Sequence, residues 1–209
     1  MAAKRQRKPD KPRVLLVGAS GTLGSAVRVE LEQRHEVIAA SRSSKLKVDI
    51  ADAASIRRLF AQVGKLDAIV CAAGHVHFGA LAAMTEELYA VGLRDKLMGQ
   101  VNLALLGRDA LNDGGSITLI TGILAEHPIR FGSSASMVNG ALESFVRAAA
   151  IELPRGLRIN AVSPNVFAES MPGYAPYFRG FEAIPVARAA LAFSRSVEGA
   201  QTGQVYRVY

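Results

Sequence analysis

The sequence predicts a doubly wound α/β domain: a parallel sheet of about seven strands with helices on both faces. Three observations point to it. Short apolar runs alternate with stretches of helical periodicity from Arg13 to the C-terminal end. Such alternation implies right-handed crossovers and a covered parallel sheet. A glycine cluster, Gly18, Gly21 and Gly24, separates the first strand from the first helix. No internal repeat or linker breaks the pattern, so residues 13–209 read as one domain behind a basic, flexible tail, 1–12.

Each element has its own signal. "RVLLV" (Arg13–Val17) is a buried strand, and Leu23, Val27 and Leu31 then recur at helical spacing. "EVIAAS" (Glu36–Ser41) and "LKVD" (46–49) read as strands, and Ile56, Leu59, Phe60 and Val63 mark the next helix. "LDAIVCAAG" (66–74) is a buried strand running into small residues. Residues 85–111 are helical in pattern and end at "NDGG" (112–115), before the strand "SITLIT" (116–121). "FGSSASMVNGALESFVRAAAIEL" (131–153) is a helix stopped by Pro154 and Gly156. The strand "LRINAVS" (157–163), a Pro-, Gly- and Tyr-rich loop, a helix near 182–196 and the strand "QVYRV" (204–208) complete the order.

Composition narrows the function classes. Half of the 209 residues are apolar and 21% are charged. No apolar run approaches the ~18–20 residues of a membrane span. The single cysteine, Cys71, excludes an internal disulfide and suits a reducing cytoplasm. The net charge of +7 is local: Lys4, Arg5, Arg7, Lys8, Lys11 and Arg13 against Asp10 hold five of those charges. The rest of the chain is nearly balanced, which argues against a nucleic-acid partner. Neither metal-ligand spacing nor a Ser-His-Asp arrangement is present.

The glycine cluster is the strongest chemical signal. Gly18 permits a tight turn, Gly21 a close approach of backbone to phosphate, and Gly24 close packing of helix on strand. The helix start at Thr22 and Leu23, with Ser20 before it, offers free N–H groups and a positive dipole end to a pyrophosphate. NAD-binding folds of this Rossmann type place an acid for the ribose at the end of the second strand. Here Ser41 stands there and Arg42 follows. A missing carboxylate removes repulsion toward a 2′-phosphate, and a guanidinium grips one. The expected cofactor is therefore NADP(H).

The chain resembles the short-chain dehydrogenase/reductase family over nearly its whole length after the tail. The resemblance rests on "GASGTLG" (18–24), "VDI" (48–50), "CAAG" (71–74), "GGSITLIT" (114–121) and "LRINAVSP" (157–164). It implies that Asp49 meets the adenine amino group and Ile50 the ring. It also implies that Ala72, Ala73 and Gly74 pass beneath the cofactor, with Pro164 and Asn139 beside it. The family's reductases use a serine, a Tyr-x-x-x-Lys pair and an asparagine, the tyrosine moving the proton. Aligned on "ALE" (141–143), Ala135 falls at the tyrosine, Asn139 at the lysine, Gly122 at the serine and Gly92 at the asparagine.

All four positions are changed, so a proton needs another source. Candidates are His75 and His77 after "CAAG", Thr121, Ser134 and Ser136, and Lys96 one helical turn past Gly92. Thr121, His77, Lys96 and Ser136 form the expected catalytic set. Ser133 or Ser134 also suits a helix cap. The aromatics Tyr174, Tyr177, Phe178 and Phe181 occupy the family's substrate-lid region, as pocket floor or loop staple. Two functions fit these residues. One is an NADP(H)-dependent oxidoreductase of an unknown carbonyl or alcohol, with a non-standard centre. The other is a catalytically silent NADP(H)-binding sensor or assembly protein. Family members pair through the two long helices, so the resemblance implies a homo-oligomer.

Overall fold

A computed structural model describes residues 11–209, so all but the last two residues of the basic tail lie outside it. Seven strands form one parallel sheet: β1 (Arg13–Val17), β2 (Glu36–Ser41), β3 (Leu46–Lys47), β4 (Leu66–Cys71), β5 (Leu111–Ile120), β6 (Arg158–Pro164) and β7 (Val205–Val208). Their spatial order is β3-β2-β1-β4-β5-β6-β7. The winding direction reverses between β1 and β4, and such a reversal opens a crevice beyond the carboxyl ends of the two strands.

The helices are α1 (Thr22–Glu32), α2 (Ala53–Val63), α3 (Glu86–Gly92), α4 (Gly99–Gly107), α5 (Ser133–Glu152), α6 (Met171–Tyr174) and α7 (Val186–Glu198). The period-2 alternation of β1 assigns its two faces. Val14 and Leu16 pack with Leu23, Val27 and Phe193 from α1 and α7. Leu15 and Val17 pack with Leu59, Leu103 and Leu142 from α2, α4 and α5. Each such leucine, taken fully out of water, contributes about 1.5–3 kcal/mol. Two cores therefore clamp the sheet and hold its carboxyl edge rigid.

Three elements differ from the sequence expectation. The helix expected over 85–111 is broken: after α3, residues Leu93–Met98 form a π-helical turn before α4 begins. β5 starts at Leu111, because Leu111 pairs with Leu66 before a register shift brings Ser116 opposite Ala68. The "NDGG" stretch is thus an irregularity within a strand. The last helix starts at Val186 rather than near 182, since Pro185 occupies its N-cap. A proline ring fixes φ for helix entry and offers no N–H to an earlier turn.

Candidate active site

The crevice divides into two clefts that share Gly74 and His75. The first is lined by Gly18, Ser20, Gly21, Ser41, Arg42, Asp49, Ile50, Ala72 and Ala73. Every one of these was expected at the cofactor from the sequence. Gly24 does not line it but shapes it: a Cβ there would sit 2.0 Å from the Gly18 carbonyl oxygen. Ser41 Oγ accepts from the Ser43 and Ser44 amides at 3.2 and 2.9 Å and contacts the Ser44 hydroxyl at 2.6 Å. Ser43 Oγ reaches Ser20 Oγ at 3.2 Å. A ring of hydroxyls with Arg42, and no carboxylate among them, suits a phosphate monoester.

The second cleft, about 390 Å³, lies beyond β5. Thr22, Leu23, Lys96, Thr121, Gly122, Ala135, Asn139 and Pro164 line it. Lys96 reaches it because of the π-helical turn. A π turn holds an extra residue and rotates the chain beyond it relative to an α-helix. Gly92 consequently faces Val76, Ser134 and Val138, while Lys96 crosses Gly74 toward the cleft. Gly74 sits at φ +150°, and a Cβ on it would meet Lys96 Cγ at 2.5 Å. Only glycine leaves the lysine this path. Lys96 Nζ donates to the Thr121 carbonyl at 3.1 Å.

Gln100 fixes this arrangement and was not singled out from sequence. Fully buried, its amide nitrogen donates to the Lys96 carbonyl at 3.1 Å and the Ile120 carbonyl at 2.9 Å, and its oxygen accepts from the Ile120 N–H at 2.8 Å. The side chain supplies a donor to a widened turn and ties it to the end of β5. An uncharged polar residue among "MGQVNLALLG" was its only signal. Asp95 does a similar task, accepting from the His75 N–H at 2.6 Å.

Some expected residues are not brought together. Ser136 and His77 do not line the cleft: Ser136 Oγ is buried without a partner, and the His77 ring lies against Gly79. Each placement has a cause. Ser136 follows Ala135 on α5, and adjacent helical positions point about 100° apart. His77 precedes Phe78 in an extended loop, so Val76 and Phe78 face the cleft in its place. Ser134 is likewise off the cleft, and Gly132, with no side-chain hydrogen bond, caps α5 instead of a serine. Gly92 also stays out of it, so the asparagine's expected position is not at the cleft wall and Lys96 is.

The far wall is apolar. Ala135, Ile123, Leu124, Val166 and Phe178 form one buried cluster. Tyr174 meets Phe78 and Phe178 edge to face at 6.2 and 6.0 Å. Phe178 meets Phe181 at 5.3 Å, while Tyr177 packs on Phe131 instead. Tyr174 and Phe178 thus belong to the pocket, whereas Phe181 and Tyr177 staple the loop.

Electrostatics single out Lys96. Burial lowers its pKa from 10.5 to about 8, against a smaller opposing effect of the nearby Asp95 charge. The Cys71 thiol is itself pushed up to about 12 by burial and stays neutral. Behind the cleft, Thr121 Oγ1 donates to Glu143 at 3.3 Å, and burial raises the Glu143 carboxyl above its ordinary range. Among the described residues, no three His, Cys, Asp or Glu side chains are placed to hold a metal, and no helix is long and apolar enough to cross a membrane.

Comparison with known proteins agrees with this architecture. Residues 18–207 match the family described as enoyl-(acyl carrier protein) reductase. The crystal structure of the protein lin1944 from Listeria innocua is 54% identical, with a TM-score of 0.94 over 95% of this chain and 100% of that one. A small-chain dehydrogenase in complex with NADPH is 25% identical, with a TM-score of 0.85 over 95% and 97%. The uncharacterized oxidoreductase YmfI from Bacillus subtilis is 30% identical over 184 residues, 75% of each chain. The chain spans about half the length of other curated relatives, 53% and 48% in two of them. A crevice at the switch point and a match over nearly every described element leave one assignment: the chain belongs to the short-chain dehydrogenase/reductase family of oxidoreductases.

Proposed function

We propose that the chain is an NADP(H)-dependent oxidoreductase acting on a carbonyl/alcohol pair, with the Lys96 ammonium as its acid. The observation that carries this reading is the placement of Lys96 Nζ, 3.1 Å from the Thr121 carbonyl on the cleft wall. The loop that Gly24 lets pack closely on α1, the hydroxyls around Ser41 and Arg42 fit a phosphorylated dinucleotide. The nicotinamide, when bound, supplies the hydride, chemistry that belongs to the cofactor. Lys96 holds a proton that it can surrender near neutrality, because its pKa lies at about 8. The Thr121 carbonyl holds Lys96 at the substrate end of the cleft, and Asn139 lines the cofactor end. The direct test is NADPH oxidation over a carbonyl panel, with NADPH titrated separately.

A second reading, a catalytically silent NADP(H)-binding sensor or assembly protein, has Ala135 in its favour, since that position is absorbed into an apolar cluster. NADPH binding with no turnover on any carbonyl or alcohol would select it. Self-association is part of both readings. Met98, Leu105 and Met137, on the π turn, α4 and α5, are exposed at 45%, 47% and 42%. Apolar groups on the helices the family pairs through support a homo-oligomer, which light scattering at micromolar concentration tests.

A further inference from the structure

We propose that Lys96 is a covalent capture site for apolar aldehydes, its amine condensing with the carbonyl carbon to an iminium on the wall of the second cleft. This goes beyond the reading above, in which the same amine only lends a proton.

The geometry suits an iminium better than an ammonium. The Lys96 side chain crosses Gly74, where a Cβ would stand 2.5 Å from its Cγ, and ends with Nζ 3.1 Å from the Thr121 carbonyl. Gly74 and Thr121 both line the cleft, so the chain that joins them lies on its wall. There the described residues give Nζ one acceptor and no ion pair. An ammonium carries three donors, whereas the iminium formed from it carries one N–H, which the Thr121 carbonyl satisfies. Among the described residues lining the cleft there is no acid, no arginine and no second lysine. A bound anion would meet one cation only. Opposite, Ala135, Val166 and Phe178 offer an apolar wall to the substituent of the aldehyde.

The amine is also prepared to attack. Only the free amine has a lone pair to give, and burial brings the Lys96 pKa down to about 8. At neutral pH its free share is therefore about 10²-fold that of an ordinary lysine. Desolvated lysines in apolar pockets are established imine formers. The titratable groups around it are Asp95 on the same turn, Cys71 and His75 from β4 and the loop after it, and Glu143 behind Thr121. Asp95 accepts from the His75 N–H and leaves Nζ unpaired. The lone pair forms the C–N bond and the C–O bonds break. Counted from the ammonium, two of its protons leave with the carbonyl oxygen as water, and the third stays on nitrogen, facing Thr121. Nothing is oxidised or reduced.

The test is trapping of benzaldehyde with cyanoborohydride at neutral pH and without nucleotide, the labelled lysines being ranked by peptide mass spectrometry. Lys96 should be alkylated about ten-fold faster than the exposed Lys11, Lys45, Lys47 and Lys65. Ala135→Leu, which narrows the cleft, should slow Lys96 and leave those four unchanged. Glyoxylate, an aldehyde with its own charge, should show a smaller preference for Lys96. Labelling of Lys96 no faster than that of the exposed lysines overturns the proposal. An equal or larger preference with glyoxylate overturns the apolar class, and labelling that Ala135→Leu leaves unchanged removes the cleft from it. Turnover is read separately. Selective trapping at Lys96 with no carbonyl reduced by NADPH sinks the oxidoreductase and leaves this site standing, and turnover with Lys96 untrapped does the reverse.

Discussion

Lys96 and Asn139 approach the same turn of chain from two different helical segments, donating to the carbonyls of consecutive residues, Thr121 and Gly122, at 3.1 and 3.3 Å. The cation is thus carried by the segment before α4, and the neutral amide by α5. Their division of the site, and the packing around it, can be measured in four ways.

Lys96 should set the pH profile of reduction. An acid must be protonated to act, so reduction by NADPH should decline above a pH of about 8, where Lys96 loses its proton. The reverse oxidation should rise through the same range. Lys96→Met should lower reduction by about 10²–10⁴-fold, the usual contribution of a positioned acid, and abolish that limb. A profile unchanged in the variant would remove Lys96 from the chemistry.

Cofactor preference should reside at Arg42 and the serines beside it. NADPH should bind several-fold tighter than NADH, and Arg42→Ala should erase about 1–3 kcal/mol of that preference. Titrating both cofactors into both proteins decides the point, and equal constants in the native protein would refute it.

Two glycine substitutions should behave oppositely. Gly24→Ala drives a methyl to within 2.0 Å of the Gly18 carbonyl, so the loop must move. We expect a loss of about 1–3 kcal/mol in stability, with weaker NADPH binding. Gly140→Ala, in α5, meets nothing within 4 Å and should stabilise by about 0.5–1 kcal/mol. Thermal unfolding with and without NADPH compares them.

Glu143 should cost stability at neutral pH. Its folded-state pKa is raised by burial, so the folded protein resists ionising it. That penalty is absent at pH values below the ordinary carboxylate pKa and fully present above the raised one. Glu143→Gln keeps an acceptor for Thr121 and should therefore melt higher at pH 7. The advantage should vanish as pH falls below the ordinary carboxylate range. A constant gap across pH would mean that the gain is packing.

The parallel sheet and the lining of the first cleft were legible because they rest on local signals. Period-2 runs, helical spacing and a glycine loop each act within a few residues, and the lining of the first cleft by Ser41, Arg42, Asp49 and Ile50 follows from strand ends. The wall of the second cleft was less so. Spacing along 85–111 assumed a uniform helix, which put Gly92 and Lys96 on one face; the π turn separates them. Gln100, whose three hydrogen bonds join the turn to β5, belongs to no motif. Ser136 fails for a simpler reason, lying one residue round the helix from Ala135.

The π-helical turn makes the wall of the second cleft sensitive to length as well as to side-chain identity. Removing a single residue between Leu93 and Met98 would let α3 and α4 join as one continuous α-helix, a gain in regular backbone bonding. Because the π turn absorbs that extra residue, the deletion would leave Gln100 and the helix beyond it in about their present orientation relative to α3. The clamp on Ile120 would hold, while the residues inside the turn took new α-helical positions about 100° apart and Lys96 lost its passage over Gly74. A one-residue shortening here should thus yield a protein that folds with a tidier helix and an empty-handed cleft.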